Sequence, residues 1–481
     1  MVVGLRTRLA RFALTAMLLA LSGQSALAGY ATVLDNGPSG NRVNIAFLGD
    51  GYLASDLATT YVDHVDAMLS YLFNAGQEPF ARYGKFFNAY RIDVVSNERG
   101  ASAPPLGIYR DTALGSSYYF DNETERLLYF REFLAEPYLD KSILRDNIIP
   151  QIMLVTVNDT RYGGGGAQYA VYAGGNAASV KIAAHEIGHS FAGLADEYDY
   201  DSSGQPGGLY TGAEPSQPNV TTDPAGAKWA AWIGYNDPQL GVIGAYQGGM
   251  CYSQGIYRPS LTSRMRVLDQ PYDAISREMI IRSIYSFVRP MDSHTPDDAT
   301  LVDPAKLSVS VVDPAVIDVD WSVNGTPVSL NSGATFDLRS LGYQAGTFTV
   351  TARAYDPTDW VRMDRSLLEQ SVNWTVQLFL PGDANEDGMV SFKDYVLLEA
   401  GFGKSGTWRS GDFNGDGTVS FADYILLEGN FGQSVPEPGC AVLLLLAPLL
   451  SKRGMFLAGR HRLSRTRRGS TYGTRLDGRP M

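Results

Sequence analysis

Apolar and polar residues alternate in patterns that change along the chain, and the first long stretch, residues 29–293, mixes strand and helix patterns. The mainly apolar runs at 43–48 and 151–157 predict buried β-strands, because β-branched and aliphatic residues dominate both. Residues 57–73 instead repeat apolar positions at helical spacing. This stretch therefore predicts an α/β (α+β) domain.

Glycines fill residues 163–166 of this domain. We expect these glycines to interrupt the regular secondary structure. Residues 168–172 are then expected to form an edge strand, and a helix is expected to begin near Ser179. An extended substrate can pair with such an edge, although a plain surface loop carries the same glycines.

Short alternating runs replace this pattern between residues 301 and 378, after a Pro-containing linker at 296–304. Turn residues separate the runs, which predicts an all-β immunoglobulin-like sandwich over residues 294–380. The clearest runs are residues 307–311, 317–321, 347–351 and 372–376.

An internal repeat with a period of 29 residues, the distance from Asp383 to Asp412, occupies residues 381–433. Each copy has oxygen-bearing side chains at loop positions 1, 3, 5, 9 and 12 and Gly at position 6, the spacing of an EF-hand loop with Asp in place of the usual Glu at position 12. Short apolar helices are expected at 395–398 and 424–427. We therefore predict two structural Ca²⁺ ions, held by Asp383, Asn385, Asp387, Met389 (through its carbonyl), Ser391 and Asp394, and by Asp412, Asn414, Asp416, Thr418, Ser420 and Asp423.

The two ends of the chain predict export. Residues 1–28 combine three arginines, an apolar stretch and a small-residue cleavage site, as a secretory signal peptide does.

The chain has a formal net charge of −12 although its last thirty residues are strongly basic, so the remainder is more acidic still. Such a surface argues against nucleic-acid binding. Two cysteines, Cys251 and Cys440, fall in different segments and predict neither a disulfide framework nor a Cys-rich zinc site.

A metal-site pattern lies in the helix that begins near Ser179. His185 and His189 are four residues apart, so both imidazoles project from one helical face toward one cation. Glu186 neighbours the first ligand and is placed to take a proton from zinc-bound water, whose pKa the metal lowers to about 7. The pattern predicts one catalytic Zn²⁺ and hydrolysis of peptide bonds.

The third zinc ligand is narrowed by elimination. The chain has five His, and the other three lie in segments where we do not expect them to reach the zinc ion. The third ligand is therefore expected to be a carboxylate. Asp196 is our choice, because Gly193 lets the chain turn back and the short Asp side chain follows that turn. Glu197 is the alternative, and an acid more distant in sequence stays open.

The segment from His185 to Tyr198 resembles the signature of the IgA-specific metallopeptidase family, a metzincin-like group of zinc peptidases. Residues 47–52 and 257–266 resemble two further segments of that family. The resemblance implies a metzincin-like peptidase domain over residues 29–293, acting on a protein or peptide substrate. It also makes Met265 the candidate for the methionine beneath the metal, with Met250 as the alternative; an ordinary core methionine would fit the same position.

Two C-terminal parts resemble known modules. The calcium repeat is similar to a dockerin, which implies a cohesin-like partner, although a calcium-stiffened spacer would look the same. Residues 435–456 resemble a PEP-CTERM sorting signal, followed by a basic tail at 457–481, which implies transient membrane contact and a location at the cell surface or outside the cell.

Two functions follow as hypotheses. The first is an exported zinc-dependent endopeptidase. The alternative is a surface adhesion or scaffold protein whose peptidase domain is inactive and which acts through calcium-dependent dockerin–cohesin binding; the intact Glu186 argues against it.

Overall fold

The computed structural model of the 481-residue chain describes residues 29–166, 168–200, 204–328 and 333–435. The predicted signal peptide, the part of the predicted sorting signal beyond residue 435, the basic tail and Cys440 lie outside the described residues. The chain forms two compact units. The first contains the described residues up to Leu341 with Phe348–Val376, and the second contains Gly342–Thr347 with the described residues from Gln377 onward.

A six-stranded sheet with the order β1-β3-β2-β4-β6-β5 forms the centre of the N-terminal domain. The four inner strands are parallel, and an antiparallel strand closes each edge. β2 is buried along its whole length, as expected of a strand covered on both faces. The strands are β1 (Tyr30–Leu34), β2 (Val43–Asp50), β3 (Phe87–Ile92), β4 (Ile152–Val157), β5 (Gly164–Gly166) and β6 (Ala170–Ala173).

One sequence-based expectation about this sheet is wrong. The glycine run forms the edge strand β5, and β6 lies inside the sheet between β4 and β5. The edge is also partly covered, because the Gly164 amide donates to the Arg126 carbonyl at 3.1 Å and the Leu128 amide donates to the Gly164 carbonyl at 3.2 Å. Glycine is tolerated here because the strand lies against a helix with no room for side chains: a Cβ at Gly164 would come within 2.3 Å of Ile182.

Helices α1 (Thr60–Leu72) and α3 (Ser179–Ala192) pack against each other and on β4, and α3 also packs on β5 and β6. The predicted helices at 57–73 and from Ser179 onward correspond to these two. Gly193 ends α3 in the left-handed conformation with φ 62°, which an L side chain would disfavour. The turn that follows brings residues 194–198 back along the helix.

The opposite face of the sheet is covered mainly by long connections and by α2 (Glu132–Asp140). Side chains alternate along β2, and Ala46 and Leu48 share this core with Leu114, Tyr118 and Leu128. Helix α4 (Ala274–Tyr285) packs against α3 on the helical side. Short hairpins precede α4, formed by β7 (Asn236–Asp237), β8 (Gly241–Val242), β9 (Tyr246–Gly249) and β10 (Tyr252–Arg258).

Two further sheets follow α4, in the orders β11-β13-β16 and β12-β18-β17-β14-β15. Trp321 joins their buried faces, since it stacks on Phe336 at 4.8 Å and on Trp374 at 5.6 Å between ring centroids. β11 starts three residues before the predicted domain boundary, and the expected linker contains β12. The strands are β11 (Met291–His294), β12 (Leu301–Val302), β13 (Leu307–Val311), β14 (Asp318–Val323), β15 (Thr326–Val328), β16 (Thr335–Phe336), β17 (Gly346–Tyr355) and β18 (Glu369–Leu378).

This β region is joined to the N-terminal domain by buried polar contacts within the first unit. The carboxylate of Asp356 is fully buried and accepts hydrogen bonds from the hydroxyls of Tyr83 at 2.5 Å and Tyr285 at 2.9 Å. Glu278 on α4 accepts from the amides of Arg362 at 2.9 Å and Met363 at 2.7 Å. A buried carboxylate without its donors is costly, so the two domains stabilise each other.

The second unit contains α5 (Phe392–Gly401) and α6 (Phe421–Asn430), each longer than the predicted helices. Both begin at a Ser, Ser391 or Ser420, whose side chain forms a capping box with the Asp three residues later. A small apolar core that includes Val390, Leu398 and Leu427 lies between them. None of the helices in the described part of the chain is long and apolar enough to cross a membrane.

Candidate metal centre

His185 and His189 lie one turn apart on α3 with their rings 4.8 Å apart, and their Nε2 atoms are separated by 3.1 Å. Each ring is fixed from its other side by a backbone carbonyl. His185 Nδ1 lies 2.9 Å from the Arg264 carbonyl, and His189 Nδ1 lies 2.7 Å from the Leu194 carbonyl. A carbonyl only accepts, so each Nδ1 carries its proton, and in the neutral rings both Nε2 lone pairs point at the same place.

Asp196 supplies a third donor atom at that place. Its Oδ1 lies 3.0 Å from His185 Nε2 and 3.3 Å from His189 Nε2, while its Oδ2 accepts a hydrogen bond of 2.8 Å from the Tyr198 hydroxyl. Within the described ranges, these three residues are the one group of His, Cys, Asp or Glu side chains gathered closely enough to hold a metal ion. The structure thus brings together the two predicted histidines and the preferred carboxylate.

The arrangement fits a tetrahedral zinc ion. Zinc bonds of about 2.0–2.2 Å place neighbouring ligand atoms about 3.3–3.6 Å apart. The three separations here, 3.0, 3.1 and 3.3 Å, are only slightly shorter. Three protein ligands leave a fourth position open, as catalytic zinc sites require.

The pKa shifts within the cluster also indicate that it stabilises a positive charge. Burial alone would lower the pKa of His189, but the hydrogen bond and the charge of Asp196 raise it to about 9. Burial opposes the charge on Asp196, yet the two imidazoles hold the pKa of that carboxyl well below its usual range. A carboxylate between two imidazoles stabilises one positive charge, which a proton or a metal ion can supply.

Glu186 follows the first histidine and is half-buried under the glycine strand. A Cβ at Gly166 would lie 2.4 Å from Glu186 Oε2, and one at Gly164 would lie 3.4 Å from Oε1. Burial raises the pKa of the Glu186 carboxyl, although the neighbouring histidines oppose that shift. A carboxylate with a raised pKa is the type of group that takes up and releases a proton during a reaction.

Glu197, the alternative third ligand, points away from this cluster. Its fully buried carboxylate accepts hydrogen bonds from Asn219 at 2.9 Å and Ser263 at 2.5 Å. Asn219 also bonds to both backbone groups of Ala195, at 2.7 and 2.9 Å. These contacts fix the turn that carries Asp196, and the position of Asn219 in the sequence gave no signal of that role.

Met265 lies beneath α3 and is fully buried. A Cβ at Gly188 would come within 2.7 Å of its sulfur, so the glycine lets Met265 sit against the helix between the two histidines. The Met265 carbonyl accepts from the Glu197 amide at 2.8 Å, which ties the segment to the ligand turn. Met250 instead lines the cleft and packs against a separate small cluster with Ala195.

A cleft of about 1060 Å³ opens over the cluster, and His185, Glu186, His189 and Asp196 lie on its floor. Its walls are rich in aromatic side chains, which are Phe120, Tyr129, Phe130, Tyr162, Tyr169, Tyr198 and Tyr200. A cleft of this volume accommodates several residues of an extended peptide. The two other histidines of the described residues do not line it: His64 Nδ1 bonds to the Tyr52 hydroxyl at 2.7 Å, and His294 Nδ1 bonds to the Thr295 carbonyl at 2.8 Å.

The predicted calcium loops have the same geometry in both repeats. Asp383 and Asp412 each accept from the backbone amide of the loop's sixth residue, at 2.8 and 2.9 Å. Asp394 and Asp423 accept at 2.9 and 2.8 Å from the amide of the capping serine. These four carboxylates are buried, and none forms an ion pair with another described side chain. Buried acids without a cationic partner fit a loop that binds a cation, and desolvation raises the pKa of Asp383.

Comparison with known families agrees with the chemistry of the cleft. Residues 31–241 match the family model described as IgA Peptidase M64. This match supports the peptidase family and a metallopeptidase-type function, and it spans the segment that carries the His-His-Asp cluster. No curated protein matches the chain.

Proposed function

We propose that this chain is an exported zinc-dependent endopeptidase. The observation that carries the proposal is the convergence of His185 Nε2, His189 Nε2 and Asp196 Oδ1, three acceptor atoms within 3.3 Å of one another at the floor of a cleft. Three lone pairs that face one another in this way repel unless a cation lies between them. The family match favours a protein or peptide as the substrate.

Each residue of the centre has a separate task in this proposal. His185, His189 and Asp196 would hold the ion, and the carbonyls of Arg264 and Leu194 keep the two rings in the required tautomer. When bound, zinc polarises the scissile carbonyl and makes water a nucleophile near neutral pH. Glu186 takes the proton from the attacking water and passes it to the leaving amine, for which its half-buried position beside the cluster is suited.

The test is proteolysis of an unfolded protein by the purified full chain, with bound zinc measured on the same sample. We expect cleavage by the zinc-loaded protein, and none after chelation or in the Glu186→Gln variant, which should still bind zinc. A folded, zinc-loaded chain that cleaves no peptide bond would contradict the proposal. It would favour the alternative of a surface adhesion or scaffold protein with an inactive peptidase domain.

For the second unit we propose a dockerin-like module with two Ca²⁺ ions and a cohesin-like protein partner. Apolar side chains in equivalent positions of the two repeats are exposed, including Phe392 with Phe421 and Val396 with Ile425. Such paired surfaces favour a protein-binding module over a simple spacer. Equilibrium dialysis should give two bound Ca²⁺ per chain, and one in the Asp412→Ala variant; unchanged binding in that variant would count against the assignment.

We also propose that the protein is exported, that its β-sandwich is of the immunoglobulin type, and that residues 435–456 act as a sorting signal. Support for export comes from the basic, apolar and small-residue order of residues 1–28 and from the acidic composition of the rest. Fractionation of cells that express the tagged full chain should place it outside the cytoplasm. Accumulation of the uncut chain in the cytoplasm would contradict export.

A further inference from the structure

A single arginine stands out in the wall of the cleft. Arg126 and Arg266 are the two arginines that line it. Arg266 is already engaged, since it donates to the Glu197 carbonyl and to the Asp199 carboxylate, each at 3.0 Å. Arg126 is exposed and has the Tyr198 hydroxyl as a hydrogen-bond partner, but no carboxylate of the described residues lies within ion-pair distance of it. Its charge is therefore available to a ligand.

The backbone holds Arg126 close to the metal centre. Its carbonyl accepts from the Gly164 amide at 3.1 Å, so residue 126 lies one strand spacing from β5. β5 in turn touches Glu186, because a Cβ at Gly164 would be 3.4 Å from that carboxylate. The backbone of Arg126 is thus anchored to the same strand that covers the proposed base, and its side chain lines the cleft.

The surroundings of Arg126 favour a carboxylate over other ligands. Some desolvation opposes its charge, but the nearby hydroxyls of Tyr198 and Tyr162 raise the pKa of the guanidinium, so it stays cationic at any working pH. A guanidinium binds a carboxylate through two parallel hydrogen bonds. The chain as a whole carries a net charge of −12 and repels acidic peptides, so a local cation is needed for one to enter the cleft.

We propose that Arg126 is a specificity-determining residue that binds a carboxylate of the substrate next to the cleaved bond. The inference rests on the proposed peptidase function and names the substrate class of that same cleft. The carboxylate belongs either to an Asp or Glu side chain or to the C-terminus of the peptide. The two sources share one chemistry and differ in the peptides that would be cleaved.

The test uses binding as well as cleavage. Three fluorescent peptides share one sequence except near the cleaved bond. The first contains Glu and the second contains Gln at the same position, and both have an amidated C-terminus. The third contains Gln and ends in a free C-terminal carboxylate, which is placed at a matched distance from the cleaved bond. Binding is measured by anisotropy to the zinc-loaded Glu186→Gln protein, alone and combined with Arg126→Gln or Arg126→Lys. Arg145→Gln is the matched control, since Arg145 is exposed and paired with Asp146 outside the cleft. Cleavage by the same variants with an intact Glu186 gives kcat and KM separately.

We expect a carboxylate peptide to bind about tenfold more tightly than its carboxamide counterpart, the size of one charge-assisted hydrogen bond. Arg126→Gln should abolish that preference with little effect on the neutral peptide, Arg126→Lys should keep part of it, and Arg145→Gln should keep all of it. A preference that survives Arg126→Gln, the absence of any preference in the parent protein, or equal weakening of all peptides would overturn the inference. If the native protein cleaves nothing, the proposed function fails, while the binding data still decide the role of Arg126.

Discussion

The glycine strand over Glu186 offers a sharp test of how the proposed base is positioned. Gly166 adopts an ordinary strand conformation, so alanine is compatible with its backbone. The added methyl group, however, would lie 2.4 Å from Glu186 Oε2 and 3.4 Å from the Cβ and Cδ2 atoms of His189. The histidine contacts are tight but tolerable, so the Glu186 carboxylate is the group that must move.

The size of the effect follows from that distance. An ordinary carbon–oxygen contact needs about 1 Å more than the space available, and a displacement of about 1 Å at a reacting group can cost about 100-fold in rate. We therefore expect Gly166→Ala to lower kcat by about 100-fold while the bound zinc stays at one ion per chain, because the ligand atoms keep their places. Steady-state kinetics and metal analysis on the same preparation measure both quantities.

Two matched substitutions separate this effect from a general loss of folding. At Gly164 the added methyl group would meet Ile182 at 2.3 Å, so Gly164→Ala should mainly lower the free energy of unfolding, by about 1–3 kcal/mol. Gly208 has open space around its Cβ direction, so Gly208→Ala should leave both activity and stability unchanged. An undiminished kcat in Gly166→Ala would refute the placement of Glu186 as the base beneath this strand. Loss of zinc there would show instead that the strand supports the ligands.

Further predictions concern the ligand turn and the domain contact. Asp196→Ala should abolish stoichiometric zinc binding, whereas Glu197→Gln should retain it, and metal analysis giving the reverse result would exchange their roles. Asn219→Ala leaves the buried backbone groups of Ala195 without hydrogen-bond partners, at a cost of about 1–3 kcal/mol each. Urea unfolding should show a loss of unfolding free energy of this order, and zinc binding should be weaker. An unchanged urea midpoint would contradict the anchoring role of Asn219. Asp356→Ala should lower the free energy of unfolding by about 3 kcal/mol, since two buried tyrosine hydroxyls and an arginine lose their acceptor, and calorimetry showing no change would mean that this contact does not couple the two domains.

The sequence by itself determined the features that depend on local spacing. Two histidines four residues apart must share a helical face, and Gly193 had to end that helix, so the metal helix and the turn after it were predictable. The central strands at 43–48 and 151–157 were also predictable, because short runs dominated by apolar residues are typical of strands covered on both faces. The 29-residue repeat likewise fixed the positions of both capped helices.

Only the tertiary structure decided which side chains meet across long stretches of sequence. Asp196 and Glu197 are adjacent acids after the same glycine, and local spacing does not distinguish them. Asn219 and Ser263 draw the Glu197 carboxylate into the interior, and Asp196 is left facing the histidines. The prediction that the glycine run interrupts the secondary structure was wrong for a related reason. Its strand conformation comes from pairing with β6 and from close packing on α3. A run of residues without side chains has no periodic pattern that would predict either contact. Propensity and periodicity describe neighbours along the chain, whereas a site is assembled from partners whose separation in sequence carries no pattern.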